Sequence, residues 1–352
     1  MRQVRIWVVG FGTVGQWVVR ALHTQAETLA DRHGFAAVIV GVANARDGFV
    51  HRPEGLDLPT LLDLADSGRP LTEHPATRHL PSALEGLRAT DADLLVEVTA
   101  SPSADGEPGC AHMREALDRR IPVVTSNKWP VALHGVELAE LARRQGVALR
   151  AESTVMSGTP VLSTLVDGLA GTTPTAVRGI LNATANFVLS AMTAGKSYED
   201  ALAEAQAIGL AERDPSADVD GYDAMAKTMI LAALVFGRQL RPEQVVRRGI
   251  AGITRADFDE AARAGTRIKL VASLEPSPDG LEARVEPVQL RADDPLANVE
   301  GVTNAVVCSA EPVGEVTVIG PGAGPALAGQ GVFSDLIAMA STTATDRDRR
   351  SP

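Results

Sequence analysis

The sequence predicts an α/β chain, a doubly wound parallel sheet followed by a second α+β domain. Three observations predict it. Short apolar runs alternate with stretches of helical period over residues 1–151. The first run ends in a glycine-rich turn that opens a helix. From residue 152 the pattern shifts to longer helices and then to paired strand-like runs. Strands that alternate with helices pair in parallel, because a parallel neighbour is reached only through a crossover, usually helical.

In chain order, VRIWVV at 4–9 is a buried strand, and 13–30 is helical through Val14, Val18, Ala21, Leu22 and Leu29. Strands follow at 37–43 (AVIVGVA), 94–98 (LLVEV), 121–125 (IPVVT) and 147–151, with helices at 110–119 and 134–145 between them. The second domain opens with a helix at 160–170 and a strand at 176–182, followed by helices at 186–194 and 198–208. A polar loop leads to a long helix over 219–236, and strands at 267–274, 281–288 and 304–309 are expected to be antiparallel. The expected domains are 1–151, with 310–340 returning to it, and 152–309 for substrate and dimerisation. The polar tail 341–352 is expected to be disordered.

Composition excludes several classes of function. A net charge of -11 with no dense Lys/Arg run disfavours nucleic acid and anionic membrane as partners. The two cysteines, Cys110 and Cys308, form no CxxC or Cys/His group, so neither a disulfide framework nor a zinc site is expected. With no signal segment and no run of about 18 apolar residues, the expected location is the cytoplasm.

Gly10-Phe-Gly12-Thr13-Val14-Gly15 stands after the first strand and opens a helix, which is where a dinucleotide fingerprint of the Rossmann type must stand. Gly10 allows the tight turn, Gly12 the approach of a pyrophosphate and Gly15 close helix–strand packing, with the helix N-terminus facing the negative charge. The second strand ends GVANARDG, with Asn44 and Arg46 where an NAD site usually places an acid. Arg46 pairing a 2′-phosphate favours NADP; in the other reading Asp47 does the acidic task and the cofactor is NAD. TSNKWP at 125–130 follows a strand whose C-terminal end faces the cofactor crevice, so Thr125 and Asn127 are expected to fix the nicotinamide and Lys128 to donate to substrate; a surface lysine is the plainer reading. Thr99, Asn182, Thr184 and Asn186 end strands as site-edge donors or as helix caps.

In GLAERDPSADVDGYDAMAKT (209–228), Glu212 lies in a loop, and Asp220, Asp223 and Lys227 at i, i+3 and i+7 share a helical face. Two carboxylates and an amine suit a zwitterionic ligand and a proton transfer. An i,i+4 Asp–Lys pair on a solvated helix is the ordinary alternative. No GxSxG or Cys/His arrangement supports a covalent nucleophile.

From about residue 4 to 340 the chain resembles homoserine dehydrogenase in its short form, without a C-terminal regulatory domain. The resemblance is carried by GFGTVG, EGLDL, SNKWPVA, AESTVMSGTP, RGILNATANFVLS, EAQAIGLAERDPSADVDGYDAMAK, RIKLVA and VTVIGPGAGPALAGQGVFSDL, in that order. It implies NAD(P)-dependent interconversion of L-aspartate 4-semialdehyde and L-homoserine, on the branch to threonine and methionine, by a homodimer acting on a small amino-acid substrate. By motif, Lys227 is the implied proton donor and acceptor and Lys128 a second active-site lysine. Glu212 and Asp223 hold substrate beside Asn182, Ala183 and Thr184, and Gly209 and Gly324 lie near the cofactor. A sodium or other monovalent ion is implied at Glu152, with Val155, Ser157 and Thr159 giving backbone oxygens. The chain departs from the family's pattern at Ala183, at Leu210 and in PALAGQG. A related dehydrogenase for another amino aldehyde is the alternative, ahead of a silent cofactor-binding regulator that has no use for Lys128, Glu212, Asp223 and Lys227.

Overall fold

Strand β1 (Arg2–Val9) is apolar on both faces because it lies mid-sheet with layers above and below. Val4, Ile6 and Val8 enter one core, and Trp7 and Val9 the other, as the two-residue period of a strand requires. The computed structural model describes residues 1–75 and 78–348. It divides into two units, Met1–Thr154 with the segment from Gly324, and Val155–Ala323.

In the first unit β1 is followed by α1 (Thr13–Thr24), α2 (Ala26–His33), β2 (Phe35–Asn44), β3 (Gly48–His51), α3 (Leu58–Asp66), β4 (Arg78–Leu80) and α4 (Ala83–Ala89). Next come β5 (Leu94–Glu97), α5 (Gly109–Asp118), β6 (Val123–Thr125), α6 (Lys128–Gln145) and β7 (Leu149–Arg150). The sheet order is β4-β3-β2-β1-β5-β6-β7. Strands β2, β1, β5, β6 and β7 are parallel, as expected, but β2–β3 and β3–β4 are antiparallel. That edge escaped the sequence reading because it hangs on a local turn: Asn44 Oδ1 accepts from the backbone N–H of Arg46 and Asp47, and Gly48 takes φ +74°. The single helix expected over 13–30 divides at Gln25, and α6 begins at Lys128, six residues before the expected 134, with a kink at His134.

A short helix α7 (Ser153–Met156) spans the boundary of the units. In the second unit a π-helical turn, Ser163–Gly168, replaces the helix expected at 160–170. It leads to β8 (Thr173–Ile180), α8 (Ala183–Thr193), α9 (Tyr198–Ala207), α10 (Ser216–Val219), α11 (Tyr222–Val235), β9 (Val245–Arg247) and α12 (Arg255–Ala264). Strands β10 (Thr266–Ser277), β11 (Gly280–Arg291), β12 (Thr303–Glu311) and β13 (Gly314–Pro321) complete it. The second sheet runs β13-β12-β8-β10-β11-β9, antiparallel except for β9 beside β11. The helix expected over 219–236 begins only at Tyr222, because Gly221 at φ +82° turns the chain there, and the short helix α10 precedes it in the expected polar loop.

The return to the first unit is a helix, α13 (Pro325–Asp348). It begins at Gly324 and not at 310, since 310–321 close β12 and form β13. Val332, Phe333 and Leu336 seat α13 in the first core, with Phe333 edge-on to Trp17 at 6.3 Å. Residues 341–348, expected to be disordered, continue this helix to Asp348, because extending an anchored helix adds one hydrogen bond per residue fixed. Residues 349–352 of the expected tail lie outside the described residues.

Candidate active site

The glycine turn at the end of β1 is built as the fingerprint requires. Gly10 has φ +104°, and a Cβ there would lie 2.5 Å from the carbonyl carbon of Val98. A Cβ on Gly15 would overlap Gly10 O, so α1 rests directly on the turn. Gly12, the N-cap of α1, is different: a Cβ would meet nothing within 4 Å. Packing does not demand glycine at that position, and the open space leaves the backbone accessible there. Thr13 and Val14 open α1, whose first N–H groups stand at this turn.

At the end of β2, Arg46 is exposed and paired with Asp47, Nε to Oδ1 at 2.9 Å and Nη2 to Oδ2 at 3.2 Å. The Asp47 side chain is buried and also accepts from Asn44 Nδ2 at 2.9 Å and Leu71 N at 3.0 Å. Desolvation raises the Asp47 pKa, but the hydrogen bonds from Arg46, Leu71 and Asn44 prevail and lower it. Asn44 and Asp47 are thus committed to the turn itself.

At the C-terminal ends of β5 and β6 lies a buried polar network. Thr125 Oγ1 donates to Glu97 O at 2.7 Å and accepts from Asn127 N at 2.9 Å. Asn127 Nδ2 lies 3.1 Å from Glu97 Oε2, 3.1 Å from Thr99 Oγ1 and 2.8 Å from Ser101 Oγ. The Thr99 hydroxyl donates to Glu97 Oε1. Lys128, the first residue of α6, is half-buried. Sequence reading placed Thr99, Thr125 and Asn127 here but passed over Glu97, which is 0% exposed and binds them together. An acid inside an apolar strand run, LLVEV, was the available signal.

The second unit holds a buried cluster around Lys227. Residues Ala224 to Ala233 of α11 are all buried, so this lysine lies inside the protein and not on a solvated face. Its Nζ donates to Leu181 O at 2.6 Å and pairs with Asp223 Oδ2 at 2.8 Å. Asn182 caps α8, accepting from Ala185 N at 2.8 Å, while its Nδ2 donates to Asp223 Oδ2 at 3.0 Å and Asp218 Oδ1 at 2.7 Å. One side chain therefore caps a helix and ties two carboxylates together, combining roles that the sequence left as alternatives. Ala183 is buried behind it, and Thr184 Oγ1 donates to Leu210 O at 3.2 Å.

The carboxylate beside Asp223 is Asp218, which sequence reading did not single out. Its signal was its place in α10, one turn before the left-handed Gly221 that swings α11 back. Asp220, expected on the face of Asp223 and Lys227, stands before Gly221 and off α11, and its carbonyl accepts from Arg247. Glu212 is exposed; its main-chain carbonyl accepts from Gln206 Nε2 at 3.0 Å. Gly209, at φ +73°, ends α9, its N–H donating to Gln206 O, as a C-terminal glycine does. Asn186 serves structure: Nδ2 holds the carbonyls of Val299, Gly301 and Thr303. Gly324, at φ +129°, precedes α13 in the first unit.

Glu152 is buried at the end of the first unit, its N–H donating to Asp335 Oδ2 at 2.9 Å. Val155, Ser157 and Thr159 open the second; Ser157 has φ +52°, and the Ser157 and Thr159 hydroxyls donate to Gly322 O and Pro321 O. Among the described residues no group of three or more His, Cys, Asp or Glu is placed to hold a metal ion, and no helix is long and apolar enough to cross a membrane.

Comparison with known proteins gives the same two parts. The model of the homoserine dehydrogenase NAD binding domain matches residues 10–152, and that of homoserine dehydrogenase itself matches 160–337. An NAD(+)-dependent homoserine dehydrogenase of Pseudomonas canavaninivorans is 38% identical over 338 residues, 96% of each chain. The homoserine dehydrogenase of Methanocaldococcus jannaschii is 33% identical over 96% of this chain and 99% of its own. Among solved structures, a hyperthermophilic archaeal homoserine dehydrogenase in complex with NADPH superposes with a TM-score of 0.79 at 31% identity, covering 97% of this chain and 98% of that one. With a fingerprint turn in one unit, a buried lysine–carboxylate cluster in the other and matches spanning both, the chain belongs to the homoserine dehydrogenase family.

Proposed function

We infer that the cluster of Lys227, Asp223, Asn182 and Asp218 holds the amino acid and handles the proton in NAD(P)-dependent interconversion of L-aspartate 4-semialdehyde and L-homoserine. The observation that carries this is a buried lysine fixed by Leu181 O and Asp223 beside a second carboxylate, Asp218. Counted as ionised, two carboxylates and one ammonium leave one negative charge, which a substrate ammonium balances. Glu212 reaches the same ammonium from its loop. A bound NAD(P) would supply or accept the hydride of the reaction. In reduction Lys227 or Lys128 gives a proton to the oxygen that becomes the hydroxyl; in oxidation the same amine, neutral, removes it. Asp223 orients Lys227 Nζ, and Asn182 fixes Asp223.

Gly10, Gly12 and Gly15 at the head of α1 hold the pyrophosphate, and Thr99, Thr125 and Asn127 the nicotinamide. NADP is favoured and NAD also accepted, because Arg46 stands exposed at the end of β2 while sharing its charge with Asp47. Glu152 with the carbonyls of Val155, Ser157 and Thr159 would hold a monovalent cation; a carboxylate and main-chain oxygens are hard donors of the kind such an ion takes. The cytoplasm is the proposed location and a homodimer the proposed assembly, the latter supported by the edge strand β13, where Ile319 is 56% exposed.

The test is Lys227→Ala. We expect kcat to fall at least about 10²-fold, the scale of general acid–base catalysis, with cofactor affinity little changed. A variant that keeps more than half of the wild-type rate removes Lys227 from the proton transfer.

A further inference from the structure

We propose that Glu97 is a positioning residue for the nicotinamide end of the cofactor, setting the amide of Asn127 so that its Oδ1 faces the cofactor's carboxamide. Glu97 ends β5, the strand next to β1 at the point where the order β2-β1-β5 reverses, the crevice in which open α/β sheets bind dinucleotides. It is completely buried, a costly place for a carboxylate unless hydrogen bonds compensate. Its Oε1 accepts from the Thr99 hydroxyl and lies 3.4 Å from His112 Nδ1; its Oε2 lies 3.1 Å from Asn127 Nδ2.

Asn127 occupies the N-cap position of α6, where asparagine ordinarily accepts an N–H of the first turn. It makes no such bond, and the third helical residue, Pro130, has no N–H to offer. Its NH2 group is instead drawn toward Glu97, Thr99 and Ser101. The two ends of an amide are nearly equal in shape, so packing alone does not choose between them. A carboxylate only accepts, and it therefore admits only the NH2 end. Oδ1 is thereby turned to the opposite side, where it accepts no hydrogen bond from the described residues. Gly109 closes the pocket, since a Cβ there would lie 2.6 Å from Asn127 Nδ2. The product is a single outward acceptor, which suits the primary amide NH2 of nicotinamide. Glutamine in place of Glu97 would fill the same space and leave the direction of the Asn127 amide unset.

This rests on the first unit binding the dinucleotide, and the experiment separates the two ideas. Binding of NADPH, NADH and ADP-ribose, which lacks nicotinamide, is measured for the wild type and for Glu97→Gln. We expect the variant to bind both dinucleotides about tenfold more weakly, the scale of one lost hydrogen bond with its misdirected partner, and ADP-ribose unchanged. In an Asn127→Ala background, Glu97→Gln should add nothing further. Equal weakening of ADP-ribose and dinucleotide, or independent effects of the two substitutions, would show Glu97 to be only a fold residue. If Glu97→Gln does not fold, Asn127→Asp sets two acceptors against each other with Glu97 in place: selective loss of dinucleotide binding supports the proposal, and unchanged binding overturns it. Failure of the wild type to bind ADP-ribose would instead refute the cofactor reading itself.

Discussion

Asp218 carries one of the two carboxylates that Asn182 ties together. Desolvation by burial holds its pKa above the ordinary carboxylate value and the charge of Asp223 adds to this, while the hydrogen bond from Asn182, the nearby Thr184 side chain and the charge of Lys227 act the other way. A substrate ammonium held there, as proposed, would stabilise the ionised form, so Asp218 would have to lose this proton for tight binding. Affinity for homoserine should therefore fall as pH drops through the raised pKa. We expect the KM for homoserine to climb on the acid side in the wild type, and in Asp218→Asn to be at least about tenfold higher at neutral pH and to lack that climb. An unchanged KM in the variant would place the ammonium elsewhere. Glu212→Gln should also raise this KM about tenfold while barely affecting 4-hydroxybutyrate, which has no amine; if only Asp218 matters, the loop carboxylate is not a ligand. Arg46→Ala should weaken NADP(H) more than NAD(H), and equal effects on both would mean that Arg46 does not meet a 2′-phosphate.

Two short devices place the chemistry, the glycine turn before α1 and the left-handed Gly221 before α11. In the first, the three glycines have separate reasons. Gly10 and Gly15 are demanded by neighbouring backbone, whereas Gly12 faces open space. Gly15→Val should consequently lower Tm and abolish cofactor binding together, while Gly12→Val should abolish binding with Tm nearly unchanged. Thermal unfolding with NADPH titration distinguishes them; a Gly12→Val protein that binds NADPH normally would show that the pyrophosphate does not approach this turn. In the second device, Gly221 lets a polar segment, α10, fold back to set Asp218 near the start of a helix whose interior is wholly buried. The fingerprint turn was legible because glycine spacing after a strand is a local signal. The partnership of Asp218 and Asp223 was not, because it passes through Asn182, 36 and 41 residues away in the chain.

Across the molecule, one charge buried outside the proposed chemistry is Lys269, on β10, with Nζ donating to Val299 O at 2.6 Å. Burial lowers its pKa to about 8 from the ordinary 10.5. Between those values the unfolded chain binds more protons than the folded one, so this group's contribution to stability rises with pH from about 8 to 10.5 and is constant below. We expect Lys269→Met to abolish that rise in denaturant unfolding; the same slope in both proteins would show that the lysine titrates normally. The sequence by itself determined what depends on neighbours along the chain: strand–turn–helix at residues 4–24, the parallel centre of the first sheet, the helix carrying Lys227 and the set of polar residues near the site. Apolar period, glycine spacing and motif order encode these directly. Only the tertiary structure decided that β3 and β4 extend that sheet, that α13 returns at Gly324, that Lys227 is buried, and that Glu97 belongs to one polar network and Asp218 to the other. Those outcomes depend on burial and on hydrogen bonds between residues distant in sequence, where the cost of an unpaired buried charge selects the partner.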